Sequence, residues 1–277
     1  MQKNTITLNN NLRIPAVGLG LWKAGKGQEA EKAVLYALDA GYRHFDTAKV
    51  YDNEEELGNA ISNCGIDRGE VFITTKVWND DQGYDNTMRA FEASLKRLQM
   101  DYVDLYLVHW PFLDFSKRGI DEFNKREETW KALEALYDSG RARSIGVCNY
   151  NIEHFEEMKN FAKLVPAVNQ IELHPFWNRK ELNAFCQEHN ILVEGYCPLA
   201  RAKRMDDPVI SSLAKKHGKT NAQVMIRWSL QLGNVVLPKS VRKERIIENI
   251  QVFDFELTSE DMAALNALNE DYSAIFS

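Results

Sequence analysis

Short apolar runs alternate with longer amphipathic stretches along most of the chain. The first residues read as a hairpin: TITLNN, a turn at Asn10–Asn11, then LRIPAV. Beyond it the pattern predicts strands near 16–20, 42–46, 71–76, 103–108, 143–147, 167–171, 191–195 and 235–237. Helical periodicity fills the gaps, as in EAEKAVLYALDA (29–40), YDNTMRAFEASLKRLQ (84–99) and ETWKALEALYDSG (128–140). The last of these closes on Gly140, a C-cap residue.

Several of the strands, VDLYLVHW, RSIGVCN and PAVNQIEL, are apolar with little alternation. Strands buried on both faces of a parallel sheet look like this. Eight such runs, most followed by a helix, in roughly 250 residues predict an α/β fold, a (β/α)8 TIM barrel. A doubly wound sheet is the rival. Its dinucleotide fingerprint fits poorly, because GLGLWK has two glycines and then Lys23 where the third is required.

The 277 residues, 44% hydrophobic and 27% charged, suit one large α/β domain or two small ones. No low-complexity linker divides them, and we expect one barrel domain over 1–277. The formal charge of −6 argues against a nucleic-acid partner. No apolar run approaches a membrane span, and the N-terminus has no apolar signal core. The four cysteines (Cys64, Cys148, Cys186, Cys197) form no CxxC pair, so free thiols in the cytoplasm are the expectation.

In a barrel, reactive groups gather at the C-terminal ends of the strands. Those ends carry Asp46, Lys76 and His109 on three successive strands, then Asn149, then Gln170 with Glu172. Tyr51 follows Asp46 within the next loop. Each has a plainer reading: a helix N-cap for Asp46, loop packing for Tyr51, a solvated Lys76, a core histidine at 109. Jointly they make a proton-transfer unit. A phenol with an ordinary pKa of ~10 donates a proton poorly near neutrality. A neighbouring ammonium favours phenolate and lowers that value. Lys76 would supply the charge, Asp46 would hold Lys76, and Tyr51 would protonate a carbonyl oxygen that His109 orients. The hydride that completes such a reduction has to come from a cofactor.

VVLPKSVRKERIIEN (235–249) reads as its site. We expect a strand, Pro238, and a helix from about Val241 with Ser240 as N-cap, an arrangement that attracts phosphate. Lys239, Arg242, Lys243 and Arg245 add positive charge, although an ordinary basic helix face would look the same.

With DTAKVY, TTK, LVHWP, GVCN, NQIELHP and LPKS…RIIEN in this order, the chain closely resembles the aldo-keto reductase superfamily, from about residue 5 to 268. WNDDQGY and the short length are similar to its small microbial branch, which includes 2,5-diketo-gluconate reductases, glyoxal reductases and prostaglandin F synthase-like enzymes. The resemblance implies a barrel closed at the bottom by the N-terminal hairpin, NADPH/NADP+ as cofactor, a monomer, and a small-molecule carbonyl substrate. It implies Asp46, Tyr51, Lys76 and His109 as the catalytic tetrad. Cys148, Asn149 and Gln170 match contacts to the nicotinamide carboxamide, and Tyr196 matches the aromatic beneath its ring. Pro198 and Leu199 match the cofactor loop. Lys239, Ser240, Val241 and Arg245 match the 2′-phosphate pocket, and Glu248 and Asn249 match the adenine contacts. Trp22, Val50, Trp78 and Trp110 match the substrate pocket, whereas rim packing would equally place tryptophans there. No metal is implied.

The chain departs from the family pattern in three places. Cysteines stand at 148 and 197 where serine is frequent, and a thiol is a weaker donor. The loop LARAKRMDDP (199–208) is basic rather than glycine-rich. The tail, NEDYSAIFS, is shorter than the tails that cover the pocket in many relatives, so an open pocket and broad tolerance for aldehydes are expected. The alternative to a reductase is a non-catalytic NADPH-binding regulatory subunit of the same fold. The intact tetrad argues against it, since a binder needs no tuned tyrosine. A metal-dependent barrel hydrolase has no support, because the six histidines form neither HxH nor HExxH.

Overall fold

A computed structural model of the protein describes residues 4–113 and 123–276, apart from the side chain of Phe123. The hairpin comes first, β1 (Thr5–Thr7) antiparallel to β2 (Arg13–Pro15), with Thr5 opposite Pro15. Eight parallel strands follow: β3 (Leu19–Gly20), β4 (His44–Asp46), β5 (Phe72–Val77), β6 (Leu105–Val108), β7 (Ile145–Cys148), β8 (Val168–Glu172), β9 (Leu192–Tyr196) and β10 (Val235–Leu237). They pair in sequence order, and a parallel bridge from Val17 to Val236 closes the ring. The chain is thus a (β/α)8 barrel, as its apolar strand pattern predicts, and the doubly wound alternative is discarded. The strands expected near 16–20, 42–46, 103–108 and 143–147 are shorter in the structure, and the other four match the expected lengths to within a one-residue shift.

Helices α1 (Gln28–Asp39), α2 (Glu54–Asn63), α3 (Tyr84–Leu98), α4 (Phe123–Asp138), α5 (Ile152–Met158) and α6 (Lys180–Glu188) connect successive strands. Two helices, α7 (Pro208–His217) and α8 (Asn221–Gln231), lie between β9 and β10, and α9 (Lys243–Ile250) and α10 (Ser259–Asn266) come last. Caps explain several boundaries. Asp207 accepts from the Val209 and Ile210 N–H groups at 2.9 and 3.2 Å, with Pro208 in the first turn of α7. Gly140, just past α4, takes the left-handed conformation (φ 73°) expected of it.

The hairpin closes the bottom of the barrel. Asn10 Nδ2 donates to the Arg143 carbonyl at 2.9 Å and Asn9 Nδ2 to the Pro166 carbonyl at 3.2 Å, both at the entry to strands. Leu8 and Ile14 pack with Phe72, Leu105, Val168 and Val235 inside that end. A second, larger apolar layer lies between strands and helices. With one end plugged, the opposite end, where the strands finish, is left for chemistry. Among the described residues no helix is long and apolar enough to cross a membrane.

Candidate active site

The strand register sets the mouth. Gly20 pairs with Asp46, Lys76 with Leu107, Cys148 with Gln170, and Glu172 with Tyr196. Asp46 closes β4, Lys76 lies in β5, His109 follows β6, Asn149 follows β7 and Tyr196 closes β9. Tyr51 ends a 3-10 turn over Lys49–Tyr51 in the loop after β4. That loop is locked: Thr47 Oγ1 donates to Asn53 Oδ1 at 2.7 Å, and Asn53 Nδ2 donates to the Leu21 carbonyl at 2.9 Å.

The four residues expected to act together do meet. Lys76 Nζ, fully buried, donates to both carboxylate oxygens of Asp46 at 2.7 and 2.8 Å and to the Thr47 carbonyl at 2.9 Å. The Tyr51 hydroxyl lies 3.3 Å from the same nitrogen. The His109 ring stands edge-on to Tyr51, centroids 5.6 Å apart, and to Trp78 at 5.0 Å. Burial works against the Lys76 ammonium, but Asp46 beside it prevails and holds its pKa above the usual lysine value. Burial, and then Lys76, push His109 well below the ordinary imidazole value, so it is neutral. Tyr51 differs from the sequence expectation. Lys76 does pull its pKa down, but burial outweighs that pull and the phenol sits above its ordinary value. The proton therefore stays on the oxygen, which is the form an acid needs.

A single cavity of about 1050 Å³ runs over this cluster to the start of α9. Its walls include Asp46, Tyr51, His109, Asn149, Gln170, Tyr196, Pro198 and Leu199, and at one end Trp22, Val50, Trp78 and Trp110. At the other end are Lys239, Ser240, Arg245, Glu248 and Asn249. Lys76 sits beneath this floor. Two further expected residues do not line the cavity, Cys148 and Val241. Cys148 points into the barrel interior among Leu105, Leu107 and Val168, because it alternates with Val147 along β7. The helix expected from Val241 starts at Lys243 with Arg242 as its N-cap residue. Ser240 instead accepts from the Arg242 N–H at 3.1 Å, a local turn that holds its side chain back from the helix.

Other residues came into view only in three dimensions. Lys23, Arg201 and Met205 join the cavity wall. In the loop after β9, Ala200, Arg201 and Ala202 all take positive φ (46°, 53°, 61°), a left-handed turn built without glycine. Arg201 lies over the Trp22 ring at 5.3 Å. The tail also reaches the site: Ile275 and Phe276 form part of the cavity wall. Ser277 lies outside the described residues. The tail is pinned by Glu172, which accepts from Ser273 Oγ at 2.8 Å and the Ala274 N–H at 2.6 Å. A strand-end carboxylate beside Gln170 was visible in the sequence; what it would hold was not.

The arrangement suits an extended nicotinamide nucleotide. The cavity is long, has a polar and aromatic floor beside Tyr51, and ends among cations. Among the described residues none donates to Gln170 Oε1, which leaves a side-chain acceptor for a ligand amide. Among the described residues, no group of three or more His, Cys, Asp or Glu side chains is placed to hold a metal.

Comparison with known proteins agrees with this geometry. Residues 16–270 match the Aldo/keto reductase family. The chain is 47% identical over 269 residues to a glyoxal reductase of Bacillus subtilis, covering 97% of this chain and 94% of that one. It is 46% identical over 271 residues to a 9,11-endoperoxide prostaglandin H2 reductase of Trypanosoma cruzi, covering 97% and 92%. Among solved structures, a Bombyx mori aldo-keto reductase in complex with NADP superimposes with a TM-score of 0.92 at 36% identity, over 99% of this chain and 95% of that one. Fold, strand-end residues and relatives agree, and the chain belongs to the aldo/keto reductase family.

Proposed function

We propose that the protein reduces small aldehydes and dicarbonyls to alcohols with NADPH, Tyr51 acting as the general acid. The observation that carries this reading is the buried Lys76 ammonium held between the Asp46 carboxylate and the Tyr51 hydroxyl at the floor of the cavity. The similarity to an enzyme named glyoxal reductase supports small dicarbonyls as the substrate class.

Bound NADPH supplies the hydride to the carbonyl carbon. The protein supplies the rest. Tyr51 gives its proton to the substrate oxygen as negative charge appears there, and the phenolate left behind faces Lys76 at 3.3 Å. Solvent in the cavity returns the proton. Neutral His109 orients the carbonyl through a ring N–H, and the indoles of Trp22, Trp78 and Trp110 exclude water from it. Asn149 and Gln170 would hold the carboxamide and Tyr196 the ring face. Pro198 and Leu199 would flank the pyrophosphate. Lys239, Ser240 and Arg245 would take the 2′-phosphate, and Glu248 and Asn249 the adenine. Cations at that end favour NADPH over NADH. A purely regulatory NADPH-binding role would leave the buried tetrad without a task.

The test is loss of NADPH absorbance with a panel of small aldehydes and diketones, wild type beside Tyr51→Phe. We expect turnover by the wild type and a loss of ~10²- to 10⁴-fold in the variant, with cofactor binding unchanged. Cofactor binding without turnover of any substrate by either protein would sink the reading.

A further inference from the structure

Glu194 is a carboxyl group in the middle of the otherwise uncharged run LVEGY, fully buried on β9 beneath the mouth. The tetrad does not use it. It pairs in register with Gln170 on β8. Gln170 Nε2 donates to Glu194 Oε2 at 2.6 Å and to Asp46 Oδ2 at 2.8 Å. An amide nitrogen has two N–H groups, so both are taken. Turning the amide over would set its oxygen against the Asp46 carboxylate oxygen. The nitrogen is therefore held down by two acids, and the carbonyl oxygen is what Gln170 offers the cavity it lines.

The neighbouring amide is fixed as well. Asn149 Nδ2 donates to the His109 carbonyl at 3.0 Å, and Asn149 Oδ1 accepts from the Tyr196 hydroxyl at 2.8 Å. One Asn149 N–H is left over. The two side chains thus offer one acceptor and one donor, the complement of a carboxamide. The wider setting keeps Glu194 an acceptor. Burial, and then the charge of Asp46, push its carboxyl up to about 8, so near neutrality it holds a proton. Oε2 accepts from Gln170, while Oε1 has no hydrogen-bond partner among the described residues. His44 Nε2 is 3.5 Å from Oε1, but burial lowers His44 to about 3, so this is a contact between neutral groups.

We propose that Glu194 is a positioning residue: together with Asp46 it fixes the Gln170 amide so that the cofactor's carboxamide is read there as an N–H donor. The inference rests on the NADPH reading given above and adds the buried residue that makes the reading directional.

The experiment compares Kd for NADP+ with Kd for its 3-acetylpyridine analogue, by quenching of tryptophan fluorescence. The analogue keeps the carbonyl and replaces the NH2 by methyl, so it has nothing to give Gln170. Wild type should bind the analogue roughly tenfold to a hundredfold more weakly, since a buried acceptor would go unpaired. Glu194→Met removes the anchor at similar volume, and the ratio should fall several-fold as Gln170 swings to find another partner. Glu194→Gln keeps an acceptor oxygen and should preserve the ratio within about twofold. Should Glu194→Met not fold, Glu194→Asp, which withdraws the acceptor by one methylene, is read in the same way. Equal weakening of both ligands, with the ratio unchanged, would mean a merely structural role and would overturn the proposal. So would a wild type that binds the two alike while still oxidising NADPH with an aldehyde. A wild type that neither binds nor oxidises the cofactor overturns the functional reading itself.

Discussion

Lys76 Nζ lies 2.7 and 2.8 Å from the two carboxylate oxygens of Asp46 and 3.3 Å from the Tyr51 hydroxyl. The two bonds to Asp46 are buried, and the contact with Tyr51 is partly buried at the cavity floor. Asp46→Asn would leave a buried ammonium facing a neutral amide. We expect a loss of about 3–5 kcal/mol in stability, because an uncompensated buried charge remains. Chemical denaturation of wild type and variant at neutral pH measures it. A cost below about 1 kcal/mol would show that Lys76 gives up its proton or finds another partner.

Stability should also depend on pH through Glu194. Its folded value, raised from 4.5 to about 8, means that the folded state holds a proton the unfolded chain releases. This contribution is complete below about pH 4.5 and is lost as pH rises through about 8. The fall is limited to about 1.4 kcal/mol per pH unit for one proton. Asp46, Gln170, Lys76 and His44 face the group, and of these Asp46 drives the shift after burial itself. Glu194→Gln should flatten the fall between pH 5 and 8, relative to wild type, in denaturation curves taken across that range. Parallel curves would place the proton elsewhere.

The tail is part of the pocket wall, so it should set the upper size of substrate. Phe276 lies edge-on to Trp110 with centroids 5.9 Å apart and is half exposed. Phe276→Ala should raise kcat/KM for aromatic aldehydes several-fold relative to a two-carbon dialdehyde, with little change in stability. Glu172→Gln, which weakens the hold on Ser273 and Ala274, should move specificity the same way. Unaltered ratios in both variants would remove the tail from specificity.

Arg245, exposed at the far end of the cavity, is the residue we expect to divide NADPH from NADH. Arg245→Ala should raise KM for NADPH by roughly tenfold to a hundredfold, the worth of one charge-assisted hydrogen bond. KM for NADH should hardly move. A parallel rise for both cofactors would assign Arg245 to some other part of the nucleotide.

The apolar strand runs, the hairpin and the strand-end residues were legible in the chain because they follow from local chemistry. Period, turn residues and position at the end of a strand place Asp46, Lys76, His109, Asn149 and Gln170 around one mouth once the barrel is accepted. Local pattern misled where burial or a competing contact decided the outcome. Ser240 reads as a helix cap but bonds to Arg242 and leaves the helix to begin at Lys243. Strand alternation, legible only once β7 was placed, sets Cys148 among the apolar side chains inside the barrel.

The sequence alone determined the barrel, the strand-end polar residues that meet at its mouth and the basic far end of the cavity, since these rest on periodicity and residue type. Only the tertiary structure decided the state of Tyr51, the partners of Glu172 and the use of Glu194. Those depend on how much water is excluded and on which distant segment arrives: Tyr51 is governed by burial, Glu172 by a tail about a hundred residues further on, and Glu194 by an amide on the adjacent strand. Solvent exclusion and long-range contact are properties of the packed chain, and no local stretch of residues encodes them.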